Sequence, residues 1–202
     1  MVEAIWGQHK SVDQIAAILR TMHSAGELAL VTRVDQAKAA AVQECCPAVQ
    51  FHHQAACLTL GEIPIAEDGA QVAVLSGGTS DRRVAEEASL ALRVHGVATA
   101  SFLDVGVAGL HRLLDVLSEL RPMSVLIACA GMEGALPTVL AGLVPQPVIG
   151  VPVSVGYGVS AGGRAALDGM LASCAPGLSV VNIDNGYGAA MAALRILKGA
   201  AV

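Results

Sequence analysis

In a sequence otherwise poor in reactive groups, one carboxylate and one thiol stand out. Across residues 122–163 the only charged residue is Glu133. A carboxylate in so apolar a stretch must be paired, hydrogen-bonded or protonated, which makes Glu133 a candidate general acid or base. The plainer alternative is a helix N-terminal residue held by backbone amides. Cys174 is one of five cysteines, with Cys45, Cys46, Cys57 and Cys129. An odd count without a C-x-x-C pair fits neither a disulfide framework nor a zinc knuckle, and suits a reducing compartment. Cys174 stands just before Ala175-Pro176-Gly177, where a helix begun near Gly163 is expected to end. There the helix dipole raises a thiol pKa, so position alone favours a structural cysteine over a nucleophile. Cys129 reads as core within a strand, and Cys45 and Cys46 as structural.

Two glycine-bearing loops are placed to hold a ligand. Ser76-Gly77-Gly78-Thr79-Ser80-Asp81 sets two hydroxyls and an acid before a helix expected from about Arg82. Backbone N–H groups and the positive helix end favour a phosphate there, with Arg82 or Arg83 adding charge. The competing reading is a tight turn with Ser80 or Asp81 as N-cap. Gly156-Tyr157-Gly158-Val159-Ser160-Ala161 matches the loose dinucleotide pattern G-x-G-x-x-A. The true fingerprint opens the first βα unit of its domain, whereas this loop follows the fourth strand, so a polar loop covering a ligand is the better reading than a redox dehydrogenase. His52 and His53 are adjacent on a strand and point to opposite faces, which makes no metal pattern. His111 alone sits near a strand end, placed either to meet a ligand or to be solvated in the first turn of its helix. No H-E-x-x-H, G-x-S-x-G or G-K-[ST] motif occurs.

The elements that must carry these residues fall into two units. Residues 1–65 read as a small α/β subdomain, with helices over about 11–25 and 36–44 and strands at 28–32, 49–52 and 57–60. Residues 62–69, acidic with Pro64, read as a linker. Residues 70–202 are regular: apolar runs of buried-strand type at 72–75, 98–103, 124–129, 148–153 and 179–183 alternate with helix-period segments. The clearest helix carries Leu110, Leu113, Leu114, Leu117 and Leu120 on one stripe. Alternation of this kind implies a parallel sheet with helices on both faces, and ligands beyond the carboxyl ends of its strands. Those ends carry Gly77 to Asp81, Asp104-Val105-Gly106, Ala130-Gly131-Met132-Glu133-Gly134, the loop from Ser154 to Gly163, and Asn182-Ile183-Asp184-Asn185-Gly186.

Composition narrows the classes of function. The 202 residues are 54% hydrophobic but only 2% aromatic, with 22 glycines, so the core is aliphatic and its backbones pack closely. With 12 basic against 17 acidic side chains and a net charge of -5, nucleic acid is an unsuitable partner. Only six of those charges follow Arg121. So few charges give a monomer little to solvate, which implies a homo-oligomer that buries much of the C-terminal half. Pro137, Pro145, Pro147 and Pro152 cut the apolar stretch too finely for a membrane span, and Glu3, Gln8, His9 and Lys10 do not make a secretory signal. The expected location is the cytoplasm.

Taken together, the strand-end segments resemble one family. Gly78-Thr79-Ser80-Asp81 followed by Val84-Ala85-Glu86-Glu87-Ala88, and Asp104-Val105-Gly106-Val107-Ala108-Gly109-Leu110-His111-Arg112-Leu113, resemble the LarB family of nickel-pincer cofactor biosynthesis. So do Ala130-Gly131-Met132-Glu133-Gly134-Ala135-Leu136-Pro137, Ser154-Val155-Gly156-Tyr157-Gly158, and Ser173-Cys174-Ala175-Pro176-Gly177 running on to Val181-Asn182-Ile183-Asp184-Asn185-Gly186. The likeness spans about residues 3–190 and is strongest over 72–190. The chain departs from the family pattern at Gly77, Ala161, Ala172 and Tyr187, which touches the shape of the pocket rather than the reaction. The family is related to the PurE aminoimidazole ribonucleotide carboxylases, so the resemblance implies a flavodoxin-like, PurE-like parallel sheet and an octameric homo-oligomer. It also implies synthesis of pyridinium-3,5-biscarboxylic acid mononucleotide: carboxylation of nicotinic acid adenine dinucleotide with CO2 and release of AMP, with Mg2+ expected on the substrate diphosphate.

In that scheme Cys174 adds to the pyridinium ring and makes the adjacent carbon nucleophilic toward CO2. Glu133 accepts the ring proton or positions the ring. Gly78, Thr79, Ser80, Asp81, Gly131, Met132, Ser154, Gly156, Tyr157 and Gly158 would bind substrate. His111 would orient a carboxylate or phosphate, and Asp104 and Asp184 would brace loops or meet the magnesium. The nearest rival is a PurE-type carboxylase acting on aminoimidazole ribonucleotide, although the Ala-His-Arg-Thr-Pro segment associated with it is absent and Gly109-Leu110-His111-Arg112-Leu113 stands closest. A nucleotide-binding scaffold without chemistry is the alternative of another class.

Overall fold

A computed structural model describes residues 2–66 and 69–199. Glu67 and Asp68 of the expected linker lie outside the described residues. The N-terminal unit comprises β1 (Ala4–Trp6), α1 (Val12–Ser24), β2 (Ala29–Thr32), α2 (Gln36–Cys45), β3 (Gln50–His52) and β4 (Cys57–Leu60). The sheet order is β1-β2-β4-β3, with β1 parallel to β2 and the other pairs antiparallel. Local chemistry starts both helices. Ser11 and Gln14 close a capping box on α1, and Asp35 accepts the Lys38 N–H at the head of α2. β1 was not expected from the sequence, since three residues with one buried side chain leave no period to read.

The second unit is a five-stranded, wholly parallel sheet of β5 (Val72–Ser76), β6 (Thr99–Phe102), β7 (Val125–Ala130), β8 (Val148–Pro152) and β9 (Ser179–Val180). Its order, β6-β5-β7-β8-β9, is that of a flavodoxin-like sheet, and the switch point lies between β5 and β7. Helices α3 (Arg82–Arg93) and α7 (Gly186–Gly199) cover one face, while α4 (Leu110–Leu120), α5 (Ala135–Leu143) and α6 (Arg164–Leu171) cover the other.

The two units are not independent bodies. Leu30 and Cys57 of the first sheet and Ala55 of its β3–β4 turn pack into the same cluster as Ala88 and Leu92 of α3, Ala189 and Ala193 of α7, and Val74 and Ile127 of the parallel sheet. The layers therefore run from α1 and α2, through the small sheet, the shared α3 and α7, and the parallel sheet, to α4, α5 and α6. Small residues let the shared layer close: a Cβ on Gly186 would collide with the Val84 carbonyl oxygen.

Three expectations change. The 98–103 run forms an edge strand that is only partly buried, and the 179–183 run pairs only at Ser179–Val180 on the opposite edge and is not buried, because nothing among the described residues pairs beyond β6 or β9. The leucine stripe of α4 is wider than the surface that covers it: Leu113 and Leu120 are fully buried, but Leu110 and Leu114 are 42% and 46% exposed.

Candidate active site

The loops after β5, β6, β7 and β8 converge at the switch point and enclose a cleft of about 520 Å³. Its walls are Gly77, Gly78, Ser80 and Asp81 from the first loop, Gly106 to Ala108 from the second, Ala130 to Glu133 from the third and Val155 to Tyr157 from the fourth. A larger groove of about 860 Å³ lies between the two units, lined by residues such as Trp6, Met22 and His95. The smaller cleft is the better candidate, because it lies at the switch point, where loops from four strand ends meet. Glycine is what lets the loops touch. A Cβ on Gly106 would strike the Gly77 carbonyl oxygen, and one on Gly131 would strike that of Val155.

Asp81 is the brace of this cleft. Its carboxylate accepts the Gly78 N–H at 2.8 Å through Oδ2 and the Gly131 N–H at 3.1 Å through Oδ1, tying the β5 loop to the β7 loop. It is only 6% exposed. Burial pushes its carboxyl above the usual range, against the pull of those two amides, and the Asp184 charge adds to the rise. The turn reading of this loop is thus modified: no side chain caps α3, and Asp81 closes a 3-10 turn over Thr79–Asp81 by reaching back to Gly78.

Backbone strain marks the same rim. Asp104, Met132 and Asp184 follow the ends of β6, β7 and β9 and adopt left-handed conformations, with φ of 60°, 54° and 54°. Such conformations persist in non-glycine residues only where the surroundings impose them. Arg112 supplies one constraint, with its Nε donating to the Asp104 carbonyl oxygen at 2.6 Å and its Nη2 lying 3.6 Å from the carboxylate.

Matched against known families, residues 71–201 fit AIR carboxylase and residues 1–62 fit the LarB/PurE-like N-terminal domain. The chain belongs to the AIR carboxylase family. Its N-terminal unit makes it a LarB-type member, related to PurE. Among individual proteins, 63% of the chain is 49% identical to half of an uncharacterized protein of Methanocaldococcus jannaschii. N5-carboxyaminoimidazole ribonucleotide mutases of Methanocaldococcus jannaschii and Pyrococcus horikoshii are 37% and 33% identical over 62% of the chain, covering 78% and 71% of the mutases.

On this AIR carboxylase sheet, Gly78, Ser80, Asp81, Gly131, Met132, Glu133, Gly156 and Tyr157 line one cleft. Thr79, Asp104, His111, Ser154, Gly158 and Cys174 do not. His111 is exposed on the first turn of α4, and Thr79 is exposed at the rim. Glu133 is a correction: it is exposed at the mouth rather than enclosed, and no amide of the α5 turn bonds to it among the described residues. Its apolar sequence neighbours go elsewhere, into β7 and the buried face of α5. Cys174 is exposed on the loop after α6 instead of closing that helix, which ends at Leu171. Cys129 is buried in β7, and burial, with the charges of Asp81, Glu87 and Asp184, raises its thiol pKa.

Sequence reading did not single out Val107, Ala108, Leu136 and Val155 as cleft residues, because apolar residues that line a cleft carry no signal apart from core. The described residues do not gather a ligand set for magnesium. Among the described residues no three His, Cys, Asp or Glu side chains cluster as ligands, Asp104 is engaged by Arg112, and Asp184 accepts the Ser154 N–H. No helix among the described residues is long and apolar enough to cross a membrane.

Proposed function

We propose that the chain carboxylates the pyridinium ring of nicotinic acid adenine dinucleotide with CO2 and hydrolyses the phosphoanhydride, giving pyridinium-3,5-biscarboxylic acid mononucleotide, a nickel-pincer precursor, and AMP. The observation that carries this reading is the LarB/PurE-like domain joined to an AIR carboxylase cleft with Glu133 at its mouth. The chain spans about half the length of the first relative it matches, so the whole activity is a proposal.

A pyridinium ring is electron-poor and does not attack CO2 unaided. A thiolate adding para to the ring nitrogen sends an electron pair to that nitrogen and leaves an enamine. The adjacent carbon then attacks CO2, a base removes the ring proton, and expulsion of the thiolate restores aromaticity. Glu133 is the base and Cys174 the thiolate in this scheme, with the ribose and phosphate lying inward beside the Ser80 hydroxyl, since the Gly78 and Gly131 N–H groups already donate to Asp81. Because Cys174 is not on the cleft wall, the ring must sit at the open mouth, where the thiol reaches it from the same chain or from a neighbouring copy. The exposed Leu110 and Leu114 support a homo-oligomer, proposed as an octamer, and the cytoplasm is the proposed location.

The test is purified protein with nicotinic acid adenine dinucleotide, magnesium and labelled bicarbonate, followed by mass spectrometry. AMP together with a labelled biscarboxylated mononucleotide supports the reading, whereas AMP without label leaves only a hydrolase. Cys174→Ser must abolish carboxylation without abolishing binding. Mixing Cys174→Ser with Glu133→Gln restores turnover only if two copies share a site. The likeness to the mutases supports a second reading, carboxylation or mutation of an aminoimidazole ribonucleotide. Turnover of that substrate, insensitive to Cys174→Ser, would establish it.

A further inference from the structure

Arg33 directly follows β2 in the N-terminal unit and does not touch the cleft. Its backbone is left-handed, with φ of 57°, a conformation that a long side chain adopts only under constraint. Its Nη2 donates to the carbonyl oxygen of Asp184 at 2.7 Å, across 151 residues of sequence. Asp184 is left-handed as well, with φ of 54°.

Asp184 is also held toward the cleft. Its N–H donates to the Pro152 carbonyl at the end of β8, and its Oδ1 accepts the Ser154 N–H, both at 2.8 Å. The next residue, Val155, accepts the Met132 N–H at 2.9 Å, and Val155, Gly156, Tyr157 and Met132 are cleft wall. A connected series of contacts thus runs from the N-terminal unit through Asp184 to two walls of the cleft.

We propose that Arg33 is a positioning residue for the cleft: by holding the Asp184 carbonyl it fixes the Asp184 carboxylate against the Ser154 N–H and so sets the wall at residues 155–157. The N-terminal unit thereby takes part in the reaction without touching substrate. The catalytic consequence rests on the carboxylase reading; the mechanical consequence holds in the free protein.

The test is hydrogen exchange by mass spectrometry on the free, full chain, comparing wild type with Arg33→Ala and Arg33→Lys. In Arg33→Ala the amides of Ser154, Asp184 and Met132, which donate to Asp184, Pro152 and Val155, exchange at least about tenfold faster, while β2 and β5 keep their protection. Arg33→Lys recovers part of the protection, because an ammonium can still donate to the carbonyl. In turnover with nicotinic acid adenine dinucleotide, Arg33→Ala raises KM more than it lowers kcat, and Arg33→Lys partly restores it. Unchanged exchange at Ser154, Asp184 and Met132, or a rise shared equally by β2 and β5, overturns the proposal. If the exchange result holds while the wild type turns over no pyridinium substrate, the positioning role stands and the substrate reading falls.

Discussion

Replacing Asp81 by Ala tests the central structural argument, that one buried carboxylate joins the first and third loops of the cleft. The substitution leaves the Gly78 and Gly131 N–H groups without their acceptor. Each orphaned amide costs about 1–3 kcal/mol where water cannot reach it. The wild-type carboxylate, however, carries a desolvation penalty. Its folded pKa is raised, so its stabilising contribution is complete below the unfolded pKa and is lost as pH rises through the folded one. At neutral pH that penalty offsets part of the bonds, and a net loss of about 2 kcal/mol is expected, which lowers Tm by about 4–8 °C for a chain of this size. The measurement is thermal unfolding at one protein concentration, with amide exchange at Gly78 and Gly131. Asp81→Asn retains a single acceptor oxygen and sets an amide donor against one of the two N–H groups, so it falls between wild type and Asp81→Ala. An Asp81→Ala melting point within about 1 °C of wild type, with both amides still protected, would refute the brace.

Three further outcomes follow from burial and charge. Brief alkylation of the native protein should label Cys45 and Cys174, both exposed, and spare Cys46, Cys57 and Cys129, which are buried; burial and the Glu87 charge push the Cys57 thiol up to about 12. Peptide mapping reads this directly, and bound nicotinic acid adenine dinucleotide should protect Cys174 but not Cys45. Glu87 is buried, and burial, helped by the Asp184 charge, raises its carboxyl pKa despite the Tyr187 N–H and nearby Arg33 and Arg83. Wild-type stability therefore declines as pH rises through that raised value, and Glu87→Gln, which keeps the acceptor for Tyr187, should flatten the Tm–pH profile on the alkaline side of that value and raise Tm near neutrality. If Leu110 and Leu114 face a second copy, Leu114→Glu lowers the molar mass measured by light scattering to a fraction of the wild-type value while far-UV circular dichroism is unchanged.

Much of this protein is written in local patterns. Apolar runs of four to six residues alternating with helical segments determined a parallel sheet, because a strand covered by helices on both faces needs no polar face. The helices expected from about 11 and 36 form, with Ser11 and Asp35 as their caps, and the glycines expected at the strand ends include Gly131 and Gly156, where the loops come close. The strand-end loops were therefore legible in the sequence as the place of the cleft. Tertiary structure decided what each loop meets. It turned Asp81 from a cap into a brace between strands 50 residues apart, brought Glu133 out to the cleft mouth, and set Cys174 outside the wall. It also joined Arg33 to Asp184, a contact no window of sequence contains. The physical reason is range: capping, turn chemistry and hydrophobic period act within a few residues, whereas desolvation, backbone strain and hydrogen bonds between loops exist only once distant strand ends have been brought together.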